Sequence, residues 1–340
     1  MRLVLMMVAF AGSILATRGL CADAPPPLVT DLAYAKPQRL VEVEPGRRLN
    51  LYCLGTGSPT VIMDSGLGDS TISWAAVQPQ IARRTKACAY DRAGLGFSDP
   101  ASRPGTVANM TQDLHALLKA AKIKPPYILV GHSLAGMTVR VYADRYRDEV
   151  VGMVIVDGSH EDQSVRAWNE VNPNGRQKWQ AYLAEHSDCV AEAEKGLLQG
   201  TPAYQKCIGD DDPHLSPAIN AAQDRVAQSV RWQAAVASER QNIFYESADQ
   251  TRATRKDFGD MPIIVLTHQP QRQTDDETPQ QTDKRTLIWE DLHSQVAAMS
   301  TRGINAIVPH ADHYIQFDRP QVVIDAVDQV IAIAREAAHR

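Results

Sequence analysis

The stretch that decides the fold runs Tyr127-Ile128-Leu129-Val130-Gly131-His132-Ser133-Leu134-Ala135-Gly136-Met137-Thr138-Val139-Arg140. Its first four residues are a short apolar run bounded by Pro125-Pro126, the pattern of a buried strand. Met137 to Ala143 opens a helix. Between them Ser133 stands among small residues at a strand-to-helix turn. A turn that tight admits only small flanking side chains, and it thrusts the serine out beyond the sheet edge. The helix that follows points its N-terminal N–H groups and the positive end of its dipole at the same spot, which favours negative charge developing on a nearby oxygen. Ala135 stands where the pattern usually closes on glycine, with Gly136 one place later, and alanine is small enough to serve.

Outward from this turn the chain alternates strands and helices. Gln38 to Glu44 and Arg48 to Cys53 flank the turn Glu44-Pro45-Gly46-Arg47 and read as a hairpin. Thr60-Val61-Ile62-Met63 is a short buried strand that runs into the small-residue loop Asp64-Ser65-Gly66-Leu67-Gly68-Asp69-Ser70. A helix is predicted from Trp74 to Arg84. The strand Lys86 to Tyr90 ends in Asp91-Arg92-Ala93-Gly94-Leu95-Gly96-Phe97-Ser98. Residues 106–122 are an amphipathic helix with Val107, Met110, Leu114, Leu117 and Leu118 on one face. Val151 to Val156 is a strand ending at Asp157. From about 159 to 257 the texture turns polar and rich in Ala, Gln, Glu and Arg, without strand runs, and reads as a helical insertion. Pro262 to Thr267 restores the strand rhythm. A polar loop over 268–283, a helix over 285–300, the strand Ile304 to Val308 and a closing helix Val322 to Ala338 follow. Such alternation implies a mostly parallel sheet covered by helices on both faces, with an antiparallel edge from the hairpin. Ligands of such sheets bind beyond the carboxyl ends of the strands, where Ser133, Asp157 and the loops after residues 63, 90 and 308 all fall.

The 340 residues suit one large domain or a domain with an insertion, and 44% hydrophobic with 22% charged residues is an ordinary globular composition. A net charge of −5 gives no footprint for a nucleic acid or an anionic membrane surface. Arg2, the apolar run Leu3 to Ala16 and Ala22-Asp23-Ala24 before Pro25-Pro26-Pro27 have the form of a signal peptide over residues 1–24. Roughly 14 apolar residues fall short of the ~20 that span a bilayer. The expected organisation is a signal peptide (1–24), a first core part (25–158), a helical lid insertion (159–257) and a second core part (258–340), in a protein exported to the periplasm or medium with no integral membrane span. Four cysteines remain after residue 24, and an exported chain would pair them, Cys53 with Cys88 and Cys189 with Cys207.

With the Ser133 turn, the Asp64–Gly68 loop, the Asp91–Ser98 turn and the late Asp312-His313 in this order, the chain resembles the α/β-hydrolases over roughly 38–158 and 260–340. Within that superfamily it resembles exported esterase-like hydrolases with Asp/Glu-Ser-Gly-Leu-Gly where relatives carry His-Gly. The insertion occupies the place of the family's lid. The resemblance implies a serine hydrolase acting on a small-molecule carboxylic ester through an acyl-enzyme, with no cofactor and no metal. Amide or peptide cleavage, or ligand binding without turnover, are the alternatives. Dehalogenase and epoxide-hydrolase chemistry in this fold uses an aspartate nucleophile, and Ser133 argues against both.

A serine hydroxyl needs a positioned base. His313, in Pro309-His310-Ala311-Asp312-His313-Tyr314 after the last strand, has the chain order expected of this fold, and the family's Gly/Asp-His loop favours it over His310. The acid that orients the base stands in most relatives after the penultimate strand. Here no carboxylate follows Thr267 until Asp275 and Asp276. Other relatives place it after the strand following the turn helix, which is Asp157, the preferred assignment, with Asp275 or Asp276 as the alternative. The oxyanion hole is expected from the backbone N–H groups of Leu67 and Leu134. Asp91, Arg92, Gly94 and Gly96 read as a structural turn. His160, Glu161 and Asp162 stand at the mouth of the site or cap the first insertion helix. Trp168, Trp232, Phe244 and Tyr245 line an acyl pocket or pack the lid core. Asp210-Asp211-Asp212 with His214 reads as a solvated acidic loop rather than a metal site.

Overall fold

The structure is a computed structural model that describes residues 26–269, 271–274 and 277–338. The apolar N-terminal run and Ala22-Asp23-Ala24 lie outside the described residues. Among the described residues no helix is long and apolar enough to cross a membrane.

Eight strands form one sheet in the order β1-β2-β4-β3-β5-β6-β7-β8. They are β1 Arg39–Glu44, β2 Arg47–Leu54, β3 Thr60–Asp64, β4 Ala87–Tyr90, β5 Tyr127–His132, β6 Val150–Val156, β7 Ile263–Gln269 and β8 Gly303–Pro309. β1, β2 and β4 are antiparallel neighbours, and every pairing from β4 through β3 to β8 is parallel. The longer helices are α1 Val107–Ala121, α2 Ala135–Arg145, α3 Val230–Asn242, α4 Pro279–Ala297 and α5 Pro320–Ala338.

The strands are apolar on both faces because both are covered. On β5, Tyr127 and Leu129 pack with Leu114, Leu117, Tyr142 and Val296 from α1, α2 and α4. Ile128 and Val130, on the alternate face, pack with Ile81, Val323 and Val327 from the short helix Gln78–Ile81 and α5. The expected helix over 74–84 is shorter. A 3-10 turn spans Thr71–Trp74, and one helical turn, Gln78–Ile81, follows. Pro79 lies in that first turn, where its missing N–H costs nothing; further along a helix it would break the ladder. α4 begins earlier than the expected 285, at Pro279, because Thr278 and Gln281 form a reciprocal capping box.

Between β6 and β7 the chain is helical, from Gln163–Arg166 to Glu246–Arg252. Its joints with the core are ionic. Glu161 is 3% exposed and accepts two bonds from Arg140 at 2.8 and 2.9 Å. Arg255 pairs with Asp144 of α2 at 2.6 Å. Both disulfides form as the cysteine positions suggested. Cys53–Cys88 joins directly paired residues of β2 and β4. Cys189–Cys207 closes a small apolar cluster with Leu197 and Tyr204 inside the insertion.

Candidate active site

Local backbone geometry makes the site. Ser133 has φ +51°, a left-handed conformation that costs a non-glycine residue about 1–3 kcal/mol and persists only when its surroundings enforce it. The enforcement is visible in close approaches. A Cβ on Gly131 would meet the Ala135 carbonyl oxygen at 2.5 Å, and one on Gly136 would meet the Gly158 Cα at 2.7 Å. The end of β6 therefore lies against the start of α2. Ser133 N–H donates to Val156 O at 3.2 Å, and Ser159 N–H donates to Ser133 O at 2.7 Å. The second glycine that the motif shifts to position 136 is what lets this crossing occur.

The same crossing delivers Asp157, which also has a positive φ of +46°. The Asp157 side chain is fully buried and receives four hydrogen bonds. His313 Nδ1–H donates to Oδ2 at 2.6 Å and His268 Nδ1–H to the same oxygen at 2.7 Å. Trp289 Nε1–H donates to Oδ1 at 2.9 Å and the His268 backbone N–H to Oδ1 at 3.2 Å. Burial alone would raise this carboxyl, but the bonds from His268 and His313 outweigh it and hold the group far below the ordinary carboxylate range. Burial likewise opposes the charged form of His313, yet the Asp157 bond and charge, with Asp69 and Asp312, raise it above the usual imidazole value.

Asp157 is thus the carboxylate on the His313 ring. Asp275 and Asp276 lie outside the described residues. His310 is exposed, has φ +57°, and offers its carbonyl to Arg319. His132, next to Ser133, donates Nε2–H to the His313 carbonyl at 3.0 Å, and the two rings are 4.7 Å apart. Burial lowers His132 to about 3, which keeps it a neutral fastener between the serine turn and the histidine loop. Among the described residues no hydrogen bond joins the Ser133 hydroxyl to His313.

The loop after β3 is built around Arg92, only 4% exposed. Its guanidinium donates to Asp64 Oδ1 at 2.9 Å and to the carbonyls of Ser65 and Gly66, both at 2.6 Å. It also forks onto Glu239 of α3 at 2.7 and 3.0 Å, and Glu239 in turn accepts from Gly68 N–H at 2.8 Å. A structural turn residue therefore ties the loop to the helical insertion. Among the described residues neither Leu67 N–H nor Leu134 N–H has an acceptor within the protein. Burial pushes Asp69, on the same loop, up to about 6; its carboxylate lies 3.3 Å from the Tyr314 hydroxyl. Asp91 accepts from Thr71 N–H, Phe97 N–H and Asn50, which is a structural task.

A cavity of about 400 Å³ adjoins His313, Asp157 and His268, with Trp168, Phe244, Ile288, Trp289 and Leu292 among its walls. Of the insertion aromatics, Trp168 and Phe244 line it, while Trp232, like Leu67, packs against the cluster of Leu95, Ala235 and Val236. His214 pairs with Asp212 at 2.8 Å and stacks on Phe317. Ligand atoms of Asp157, His268 and His313 lie within 4.8 Å of one another. Two oxygen or nitrogen ligands of one tetrahedral zinc are held about 3.3 Å apart. The 2.6 and 2.7 Å separations here are shorter than that and fit ring protons shared with the carboxylate.

His268 and Trp289 were missed in the sequence. His268 had a signal: it stands at the end of the penultimate strand, where a carboxylate is usual and absent. Trp289 had none, because only the packing of α4 against β7 brings it to Asp157.

Residues 59–269 match the model of a family described as alpha/beta hydrolase fold. The chain is similar to YqjL of Bacillus subtilis, an uncharacterized protein, at 22% identity over 286 residues, 84% of this chain and 88% of that one. Among solved structures it is similar to the epoxide hydrolase CorEH, with a TM-score of 0.58 and 20% identity, covering 87% of this chain and 97% of that one. It is also similar to a thermophilic esterase from Thermogutta terrifontis, with a TM-score of 0.53 and 16% identity, covering 88% and 99%. At these identities the likeness to solved structures is one of fold.

Proposed function

Because the chain belongs to the α/β-hydrolase fold family, we propose that it is a serine hydrolase cleaving a small carboxylic ester through an acyl-enzyme on Ser133. Ser133 Oγ attacks the ester carbonyl while His313 Nε2 takes its proton. The charge that develops on the carbonyl oxygen meets the N–H groups of Leu67 and Leu134. Collapse of the tetrahedral adduct breaks the bond to the alcohol, which receives the proton from His313. Water then attacks the acyl group, again through His313, releasing the acid and restoring Ser133. Asp157 keeps the proton on His313 Nδ1, so that Nε2 faces the reaction as an acceptor, and stabilises the imidazolium that forms.

The observation that carries this reading is the 2.6 Å bond from His313 to buried Asp157 beside a serine held at φ +51°. The serine separates this site from a carboxylate-nucleophile mechanism, whatever the likeness of fold to an epoxide hydrolase. The apolar cavity wall suits a hydrophobic acyl or alcohol group. Two disulfides accord with an oxidising compartment, and export is part of the proposal.

A fluorophosphonate probe tests it. The wild type is expected to label stoichiometrically on Ser133, and Ser133→Ala not at all. An unlabelled wild type, or equal labelling of Ser133→Ala, would show a ligand-binding relative instead. Matched short esters and arylamides then separate esterase from amidase: the reading requires faster release from the esters.

A further inference from the structure

We propose that His268 is a positioning residue that shares the Oδ2 oxygen of Asp157 with His313 and so limits how strongly that carboxylate holds the imidazole. The inference rests on the serine-hydrolase reading and adds a fourth residue to its site. A carboxylate only accepts, so both ring Nδ1 atoms on Oδ2, at 2.6 and 2.7 Å, carry protons. The His268 ring is 5% exposed, so water does not replace it. Its backbone N–H also reaches Oδ1, at 3.2 Å, so one residue grips both oxygens and fixes the plane of the carboxylate. Trp289 completes the grip on Oδ1.

Two consequences follow from sharing one oxygen. The carboxylate is held in the rotamer that presents Oδ2 to His313. Its negative charge is also divided between two donors, so it stabilises the His313 imidazolium less than an undivided aspartate would. His268 thereby sets the base closer to the operating range, where a general base is most effective.

Other groups face His313 from every packed element. His132 stands at the end of β5, Asp69 on the loop after β3, His293 on α4, and Asp312 and Tyr314 on its own loop, with Arg272 paired to Asp312 at 3.0 Å. None of these changes in the variants below, so a difference between variants reports the group at position 268.

The experiment compares wild type with His268→Leu, which removes the ring donor, and His268→Asn, whose amide nitrogen can occupy the Nδ1 place. His268→Ala is the second donor-free variant, should the leucine not fold. Titration of the His313 ring is followed by NMR in each folded protein, and the acid limb of kcat/KM is measured beside it. The donor-free variant is expected to raise the His313 midpoint by about one pH unit and to move the acid limb by the same amount, with KM little changed. His268→Asn is expected to restore both. A donor-free variant that titrates like the wild type overturns the inference, as does His268→Asn shifting as far as His268→Leu. The NMR midpoint is read without turnover. A wild type that fails to label with fluorophosphonate therefore sinks the hydrolase reading separately, and a labelled enzyme with an unmoved midpoint sinks only the role of His268.

Discussion

Asp157→Asn is the substitution whose outcome the geometry constrains most. The asparagine must place an NH2 where one carboxylate oxygen stood, and both oxygens now face donors. At the Oδ1 end the donors are the Trp289 indole N–H at 2.9 Å and the His268 backbone N–H at 3.2 Å, and neither can become an acceptor. At the Oδ2 end both donors are imidazole Nδ1 atoms, which become acceptors by moving their proton to Nε2. The amide therefore turns its NH2 to the imidazoles, and its two hydrogens meet two Nδ1 lone pairs. The site stays bonded and folded, but His313 is held with its proton on Nε2, toward the reaction, where it cannot act as a base. A triad histidine held in the wrong tautomer loses about 10⁴-fold in kcat, or about 5.4 kcal/mol at about 1.36 kcal/mol per tenfold. Because the buried hydrogen bonds are replaced, thermal unfolding should fall only slightly. The assay is kcat and kcat/KM on a short nitrophenyl ester at the wild-type optimum, with a melting curve on the same sample. The reasoning fails if Asp157→Asn keeps more than a tenth of wild-type kcat, or if Asp275→Asn or Asp276→Asn causes the large loss while Asp157→Asn does not.

Further outcomes follow from the same geometry. Gly66→Ala would set its Cβ 2.8 Å from Asp69 Oδ2 and 2.9 Å from His132 Nδ1. The aspartate can swing aside, but His132 is fastened to the His313 carbonyl, so the loop carrying Leu67 must move. Steady-state kinetics should then show kcat lowered about 10²–10³-fold with KM nearly constant. The proposed acylation requires neutral His313, and its titration is raised, so kcat/KM should fall as pH drops through a midpoint above the ordinary imidazole value. Asp69 contributes to that raise, so Asp69→Asn should move the midpoint down; an upward move contradicts the assignment. Intact-mass measurement with alkylation should gain four thiol adducts after reduction, two from each disulfide. Cys189→Ser paired with Cys207→Ser should lower stability by about 2–4 kcal/mol in a denaturant melt.

The sequence by itself determined the strand-and-helix alternation, the serine turn and the histidine loop, because each is a local pattern. Val130 to Gly136 carries its own reason for folding as it does: an apolar strand, residues too small to clash, then a helix start. Both disulfides were legible for a similar reason, since few cysteines fall in few places. The partner of His313 was legible only as a preference for Asp157. Asp157 and Asp275 or Asp276 were equal as residue types, and the choice depends on which carboxylate the β6–α2 crossing at Gly136 and Gly158 brings against the base. Nor could the spacing reveal that Arg92 clamps the loop after β3 to Glu239, 147 positions away in sequence. The hydrogen bonds from His268 and Trp289 to one buried carboxylate belong to the same class. A buried charge must collect its donors from whichever strands and helices pack around it, and that neighbourhood is fixed by the order of strands in the sheet, which no local stretch encodes.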